Sequence, residues 1–200
     1  MRVLVACEFS GVVRDAFRAR GHDAVSCDLL PTEKPGPHIQ GDVMAHLGEG
    51  WDLIIAHPEC TKLTVAGNST YGEGKPRYQE RLDQCAWTKH FWDECKRNAK
   101  GVAFENPVSV LRRLGGFPKP QYVHPWQHGH PEQKKTALFL HGLPELVETR
   151  NVYAEMMLLP KNVRERVHYM APSPLRWKLR STTYAGIADA MAAQWGGLPV

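Results

Sequence analysis

A chain of 200 residues is long enough for one α/β domain with a full core, and its length gives no reason to expect two. With 42% hydrophobic and 23% charged residues it has the composition of a globular protein. No apolar run approaches the roughly 20 residues needed to cross a bilayer, so no membrane association is expected. The net charge of +4 is compatible with a polyanionic partner but does not demonstrate one. The five cysteines, Cys7, Cys27, Cys60, Cys85 and Cys95, include no CxxC pair. That argues against a disulfide framework or a zinc site, so no metal is expected and a reducing cytoplasm is the expected location.

In chain order, Arg2–Ala6 is a short β-branched run that reads as a first strand rather than a signal peptide. Residues 11–20 carry Val12, Val13, Ala16, Phe17 and Ala19 at helical spacing, and Gly21 closes the helix. Ala24–Cys27 predicts a second strand, ended by Asp28; a loop rich in Pro and Gly follows over residues 31–42. Asp52–Ala56 predicts a buried strand, Pro76–Asn98 a long helix, and Gly101–Phe104 a strand stopping at Glu105. Thr136–Leu140 predicts another strand and Tyr184–Trp195 a closing helix, with a proline-punctuated stretch between them. Alternating strands and helices with polar residues at the strand ends predict a doubly wound, mostly parallel sheet. Ligands bind such sheets outside the carboxyl ends of the strands.

At those ends, each chemical group has a functional and a purely structural reading. Phe9-Ser10-Gly11 either turns helix amides toward a cofactor or is a tight turn with Ser10 as a cap. Asp28 either accepts bonds from a ribose or is solvated. Cys60, delivered by a buried strand, is either a nucleophile of lowered pKa or an inert buried thiol. Glu105 either has a raised pKa and protonates a substrate nitrogen, or starts a helix with Asn106 and Pro107. Four basic segments, Arg112-Arg113, Lys134-Lys135, Arg164–Arg166 and Arg176–Arg180, with Trp126 and Trp177, offer either a grip on a nucleic acid or solvated faces.

Taken in order, these segments resemble the cytosine-C5 DNA methyltransferase family, and most of all its short, phage-type members. Phe9-Ser10-Gly11 is similar to the family's Phe-x-Gly-x-Gly loop without its second glycine. Pro58-Glu59-Cys60, with Ala66-Gly67 downstream, resembles the Pro-Pro-Cys motif, and Glu105-Asn106-Pro107-Val108 the Glu-Asn-Val motif. Gln133-Lys134-Lys135 before a strand is similar to Gln-x-Arg-x-Arg, His128-Gly129-His130-Pro131 to Tyr-Gly-x-Pro, and Ser181-Thr182-Thr183 to the last cofactor segment. The sequence departs from the family at Glu59, whose carboxylate opposes thiolate formation, and in lacking both arginines. Most of the target-recognition region is missing too, reduced to an irregular insertion over about residues 141–180.

The resemblance implies a Rossmann-like class I methyltransferase fold in a single domain over residues 1–200, with S-adenosylmethionine as cofactor. The activity it implies is methyl transfer to C5 of cytosine in DNA through a covalent Cys60 adduct. Glu105 would act on N3, and Lys135 would orient the base or hold a phosphate. The implied cofactor residues are Phe9, Ser10, Gly11, Asp28, Asp42, Pro58 and Thr182. The implied substrate residues are Asn106, Gln133, Lys134, Arg176, Lys178 and Arg180. Without a recognition region, single-stranded DNA, an opened duplex or help from a protein partner is favoured, because flipping a paired base costs a few kcal/mol. Three alternatives remain open: a free nucleotide or RNA as substrate; a degenerate fold serving as a nucleic-acid-binding or interaction protein; and transfer of a modified group from a modified cofactor, whose added carboxylate Lys178 or Arg180 would suit. If the chain is phage-encoded, its implied location is the host cytoplasm.

Overall fold

The computed structural model describes residues 1–198. Its seven strands are β1 (Arg2–Ala6), β2 (Asp23–Asp28), β3 (His38–Gln40), β4 (Leu53–Ala56), β5 (Gly101–Pro107), β6 (Gln121–Val123) and β7 (Thr136–His141). They form one sheet in the order β3-β2-β1-β4-β5-β7-β6. β1 to β5 run parallel, and β7 is antiparallel to both of its neighbours. The α-helices are α1 (Val12–Arg18), α2 (Asn68–Tyr71), α3 (Tyr78–Asn98), α4 (Leu111–Leu114), α5 (Tyr153–Met157), α6 (Lys161–Arg164), α7 (Arg166–Tyr169), α8 (Arg176–Ser181) and α9 (Ala185–Trp195). Among the described residues no helix is long and apolar enough to cross a membrane.

The central strands are apolar on both faces, as a sheet covered by helices on both sides requires. Leu4, Ala6, Ile54, Ala56, Val102 and Phe104 pack with Phe91 and Trp92 of α3. The alternate residues Val3, Val5, Leu53, Ile55 and Ala103 pack with Val13 and Phe17 of α1 and with Ile187, Met191 and Trp195 of α9. The chain leaves β1 toward β2 on one side and later returns to place β4 on the other. β1 and β4 therefore flank a switch point, where a crevice opens at their carboxyl ends.

The structure departs from the sequence-based expectation at the sheet's edges. The Pro/Gly-rich loop contains β3, three residues paired with the end of β2, and β6 is equally short; neither is long enough to show a period in sequence. β5 continues past Phe104 to Pro107, because β7 pairs with it as far as Asn106–Ala137 and Pro107–Thr136. Glu105 and Asn106 thus lie in a strand, not at a helix start.

α1 begins at Val12, with Gly11 in the left-handed region at φ 70°. A Cβ at Gly11 would lie 2.5 Å from the guanidinium of Arg14. That guanidinium cannot swing aside. It is fully buried and donates to Ser26 Oγ, Thr32 Oγ1 and the Lys34 carbonyl at 3.1–3.2 Å. Gly11→Ala is therefore expected to lower stability by about 1–3 kcal/mol, read as an earlier urea midpoint.

Candidate active site

A cavity of about 660 Å³ opens at the carboxyl ends of β1, β2, β4 and β5. Three layers of sequence meet there. Cys7, Glu8, Phe9 and Ser10 follow β1; Asp28, Leu29 and Leu30 end β2; and His57, Pro58, Glu59 and Cys60 follow β4. Glu105 and Pro107 of β5, Gln84 and Trp87 of α3, Lys134, Trp177, and the run Arg180 to Thr183 complete the wall.

The first turn works differently from the expectation of helix amides facing a cofactor. Glu8 is buried and folds back onto α1: the Val13 amide donates to its Oε1 at 2.7 Å and the Arg14 amide to its Oε2 at 3.2 Å. The Val12 amide donates to Ser10 Oγ at 3.4 Å. Glu8 satisfies donors a helix start leaves open, so this end of α1 has few amides left for a ligand. Phe9 keeps its ring at the cavity, 5.5 Å from the ring of Trp177.

The Cys60 loop is fixed from two sides. Arg81 of α3 is fully buried and donates to the carbonyls of Lys62 (2.7 Å) and Thr64 (3.1 Å) and to Asn68 Oδ1 (2.7 Å). On the other side, Asn106 donates from Nδ2 to the Pro58 carbonyl at 3.4 Å. The Val65 amide donates to the Val108 carbonyl at 3.0 Å, and the Val110 amide to the Leu63 carbonyl at 2.9 Å. Charge-assisted bonds from a buried guanidinium are strong, so Cys60 sits on a braced loop. Asn106 is fully buried, and its Oδ1 has no partner among the described residues.

Glu105 lies beside His57, whose Nδ1–H donates to Glu105 Oε2 at 3.4 Å; both side chains are largely buried. The sequence reading expected burial to raise the Glu105 pKa. Burial does act in that direction, but the His57 hydrogen bond and the charges of Lys134 and His57 outweigh it and hold the carboxyl below its ordinary value. In the ligand-free protein Glu105 is a carboxylate. The lowered pKa expected of a nucleophile is not found at Cys60 in the resting protein: burial and then the Glu105 charge hold the thiol above its ordinary value, Lys134 pulls it down only in part, and the exposed Glu59 contributes least.

Two more thiols line the cavity. Cys27 is pushed up to about 11 by burial and by Asp28 and Asp42, with no cation opposing them. Cys7, at φ 57°, is pushed to about 12 by burial and the Asp28 charge. Cys60 alone of the three has Lys134 to favour its thiolate. Because a raised pKa means less thiolate at a given pH, the two neighbours should have opposite effects. Glu105→Gln is expected to speed iodoacetamide alkylation of Cys60 at pH 8, and Lys134→Met to slow it, by up to about tenfold per unit of pKa. Peptide mass spectrometry resolves Cys60 from the other cysteines.

Of the residues singled out in the sequence, Phe9, Ser10, Asp28, Asp42, Pro58, Cys60, Glu105, Lys134, Arg180 and Thr182 line this one cavity. Gly11 and Asn106 lie behind it as supports. Lys135 does not line it: its ammonium lies 4.1 Å from the centre of the Tyr122 ring on β6. Successive side chains before a strand point to opposite sides, and here Lys134 faces inward, its Nζ donating to the Arg180 carbonyl at 2.9 Å. Gln133 is exposed, its amide donating to the Arg164 carbonyl at 2.6 Å, and Lys178 is paired with Glu33. Arg176 stands outside the cavity wall, its Nε buried without a partner among the described residues. From sequence, His57 stands at a strand end worth inspecting but without an assigned role, and Gln84 and Trp87 do not stand out. His57 and Gln84 carry no motif, and Trp87 reads simply as part of a long helix.

No protein-family model matches the chain, and no curated protein matches it. Solved structures do. The methyltransferase EhMeth of Entamoeba histolytica is similar with a TM-score of 0.50 at 13% identity, over 88% of this chain and 64% of that one. The fold is that of a class I methyltransferase. A protein described as a DNA modification methyltransferase encoded within an Escherichia coli prophage gives a TM-score of 0.45 at 16% identity, over 80% of this chain and 56% of that one. Spodoptera frugiperda DNMT2 gives 0.41 at 14%, over 76% and 50%. The chain thus spans between 50% and 64% of the length of these three proteins, and at 13% identity the property shared with EhMeth is the fold.

Proposed function

We propose that this chain is an S-adenosylmethionine-dependent methyltransferase that acts on C5 of cytosine in DNA through a covalent adduct at Cys60. The observation carrying this reading is that Cys60, Glu105 and Lys134 line one cavity together with Phe9 and Asp28.

The residues fit the cofactor. Asp28 has one carboxylate oxygen bonded to the Leu30 amide at 2.9 Å, which leaves the other for ribose hydroxyls. Asp42 caps a short helical turn through Oδ1, accepting the Met44 amide at 3.0 Å, so its Oδ2 remains for the adenine amine. Phe9, Leu29 and Val43 supply apolar wall for a purine, and Thr182 borders the opposite side. Bound there, S-adenosylmethionine would supply an electrophilic methyl group.

The chain's own residues prepare the pyrimidine. Cytosine is unreactive at C5 until a nucleophile adds at C6. Cys60 loses its proton and forms the sulfur–C6 bond, which makes C5 an enamine-like carbon. Glu105, a carboxylate at rest, takes up the proton that Cys60 releases and passes it to N3 as charge develops on the ring. Lys134 serves twice, favouring the thiolate and balancing charge on the base; Lys135, expected from the sequence to orient the base or hold a phosphate, stands outside the cavity wall. Once C5 carries the methyl group, loss of the C5 proton to water expels Cys60 as a thiolate, which regains its proton as N3 gives one up, and the aromatic ring is restored.

The test is incubation with methyl-labelled cofactor and dCMP, single-stranded DNA, duplex DNA or RNA, followed by digestion to nucleosides. Labelled 5-methylcytosine from DNA, most from single strands, is the expected result. Label in RNA or dCMP alone would move the substrate, and no labelled pyrimidine in any arm would overturn the proposal.

A further inference from the structure

Residues 161–180 carry Lys161, Arg164, Arg166, Arg176, Lys178 and Arg180 against Glu165 alone. That is an excess of five positive charges in a chain whose net charge is +4, so the other 180 residues are slightly acidic. The chain's basic character is concentrated in one tenth of its length. This stretch folds into α6, α7 and α8, none longer than six residues, and its last part borders the cavity through Trp177 and Arg180.

Two of the six cations have protein partners: Arg166 pairs with Glu132 and Lys178 with Glu33. The side chains of Lys161, Arg164, Arg176 and Arg180 have no carboxylate or hydrogen-bond partner among the described residues. Arg164 and Arg176 each hold a buried Nε without an acceptor. Guanidinium groups with unmet donors fit an acceptor-rich anion. Between the cations stand half-exposed rings: Tyr169 is 55% exposed and Trp177 55%. Polar charge alone would not require them, and in water such rings cost free energy.

We propose that residues 161–180 are a docking surface for single-stranded nucleic acid, which feeds one base past Trp177 into the cavity. The inference deepens the reading given above by naming the form of its substrate. Cations that follow a phosphate backbone, interleaved with rings that stack on bases, are what a single strand needs. A duplex presents no free base face to Tyr169 or Trp177, and its major groove is read by longer helices or ribbons than this surface offers. Trp177 already packs against Phe9 at the cavity mouth, so a base stacked on it is next to the pocket.

Binding decides this without catalysis. Fluorescence anisotropy with a labelled 12-nucleotide DNA strand, the same strand as duplex, and the matching RNA would be measured across salt concentrations. Single-stranded DNA or RNA is expected to bind at least tenfold more tightly than the duplex. For Arg164→Gln/Arg176→Gln, the slope of log K against log salt should fall by about 1.4, two contacts at about 0.7 each. Tyr169→Ala should weaken single-strand binding about fivefold or more, the scale of one lost stacking contact. Lys96→Gln/Arg97→Gln removes the same charge from the end of α3, next to the amino end of β5 and outside the cavity wall, and should bind as the native chain does; melting curves confirm folding of each variant. Equal or tighter duplex binding would overturn the proposal, as would unchanged binding in folded Arg164/Arg176 and Tyr169 variants. Because no cofactor is present, failure of methyl transfer leaves this result readable, and failure here leaves the Cys60 chemistry open to its own test.

Discussion

Cys60→Ala is expected to lower methyl transfer by about 10⁴-fold or more, the scale on which an enzyme feels the loss of a covalent nucleophile. The size of the effect follows from the substrate. C5 of cytosine has no nucleophilic character until C6 carries a substituent, and no other group at the site can replace the sulfur. Cys27 and Cys7 share the cavity, but burial and the carboxylates of Asp28 and Asp42 keep both thiols protonated at neutral pH. Binding should survive the change, because Cys60 lies on a loop whose position is set by Arg81 and Asn106. A fall in kcat with the KM for cofactor nearly unchanged is the expected signature.

Glu105→Gln should slow transfer by about 10²- to 10⁴-fold, the usual range for a general acid or base. Glutamine keeps the size and can still accept from His57, but it has no proton to exchange with N3. The same substitution removes the negative charge that acts most strongly on Cys60, so it should make the thiol more reactive toward iodoacetamide while slowing transfer. Opposite signs in one variant separate a chemical role for Glu105 from simple damage to the loop. His57 and Lys134 hold the Glu105 carboxyl ionised in the resting protein. Removing the imidazole in His57→Gln should therefore let burial raise the Glu105 pKa and shift the pH profile of transfer, with little effect on cofactor binding.

The core of the fold was legible in sequence because its signals are local. β1, β4 and the first part of β5 are short runs of apolar residues, and α3 is a long amphipathic run; each element sits within two residues of its expected bounds except the end of β5. β3 and β6 were not legible, since a three-residue strand exists only through its neighbour's pairing. The extension of β5 through Asn106 depends on β7, about 30 residues downstream, which no local pattern reports. At the site, Cys60 and Glu105 stand out in sequence because both follow short apolar runs. The choice between Lys134 and Lys135 depended on which side of β7's leading edge each faces, a matter of register. The direction of the Glu105 shift is hidden from the sequence for a similar reason. Burial could be read from its strand, but the imidazole that offsets it is contributed 48 residues earlier in the chain.

The central claim is that the Cys60 sulfur bonds to C6 of a cytosine. Intact-mass spectrometry after incubation with S-adenosylmethionine and a single-stranded oligonucleotide carrying 5-fluorocytosine tests it most directly, since fluorine at C5 blocks release of the enzyme. The account predicts a protein–oligonucleotide adduct that maps to the Cys60 peptide and is absent in Cys60→Ala. An adduct that persists in the alanine variant, or one that maps to Cys7 or Cys27, would contradict it.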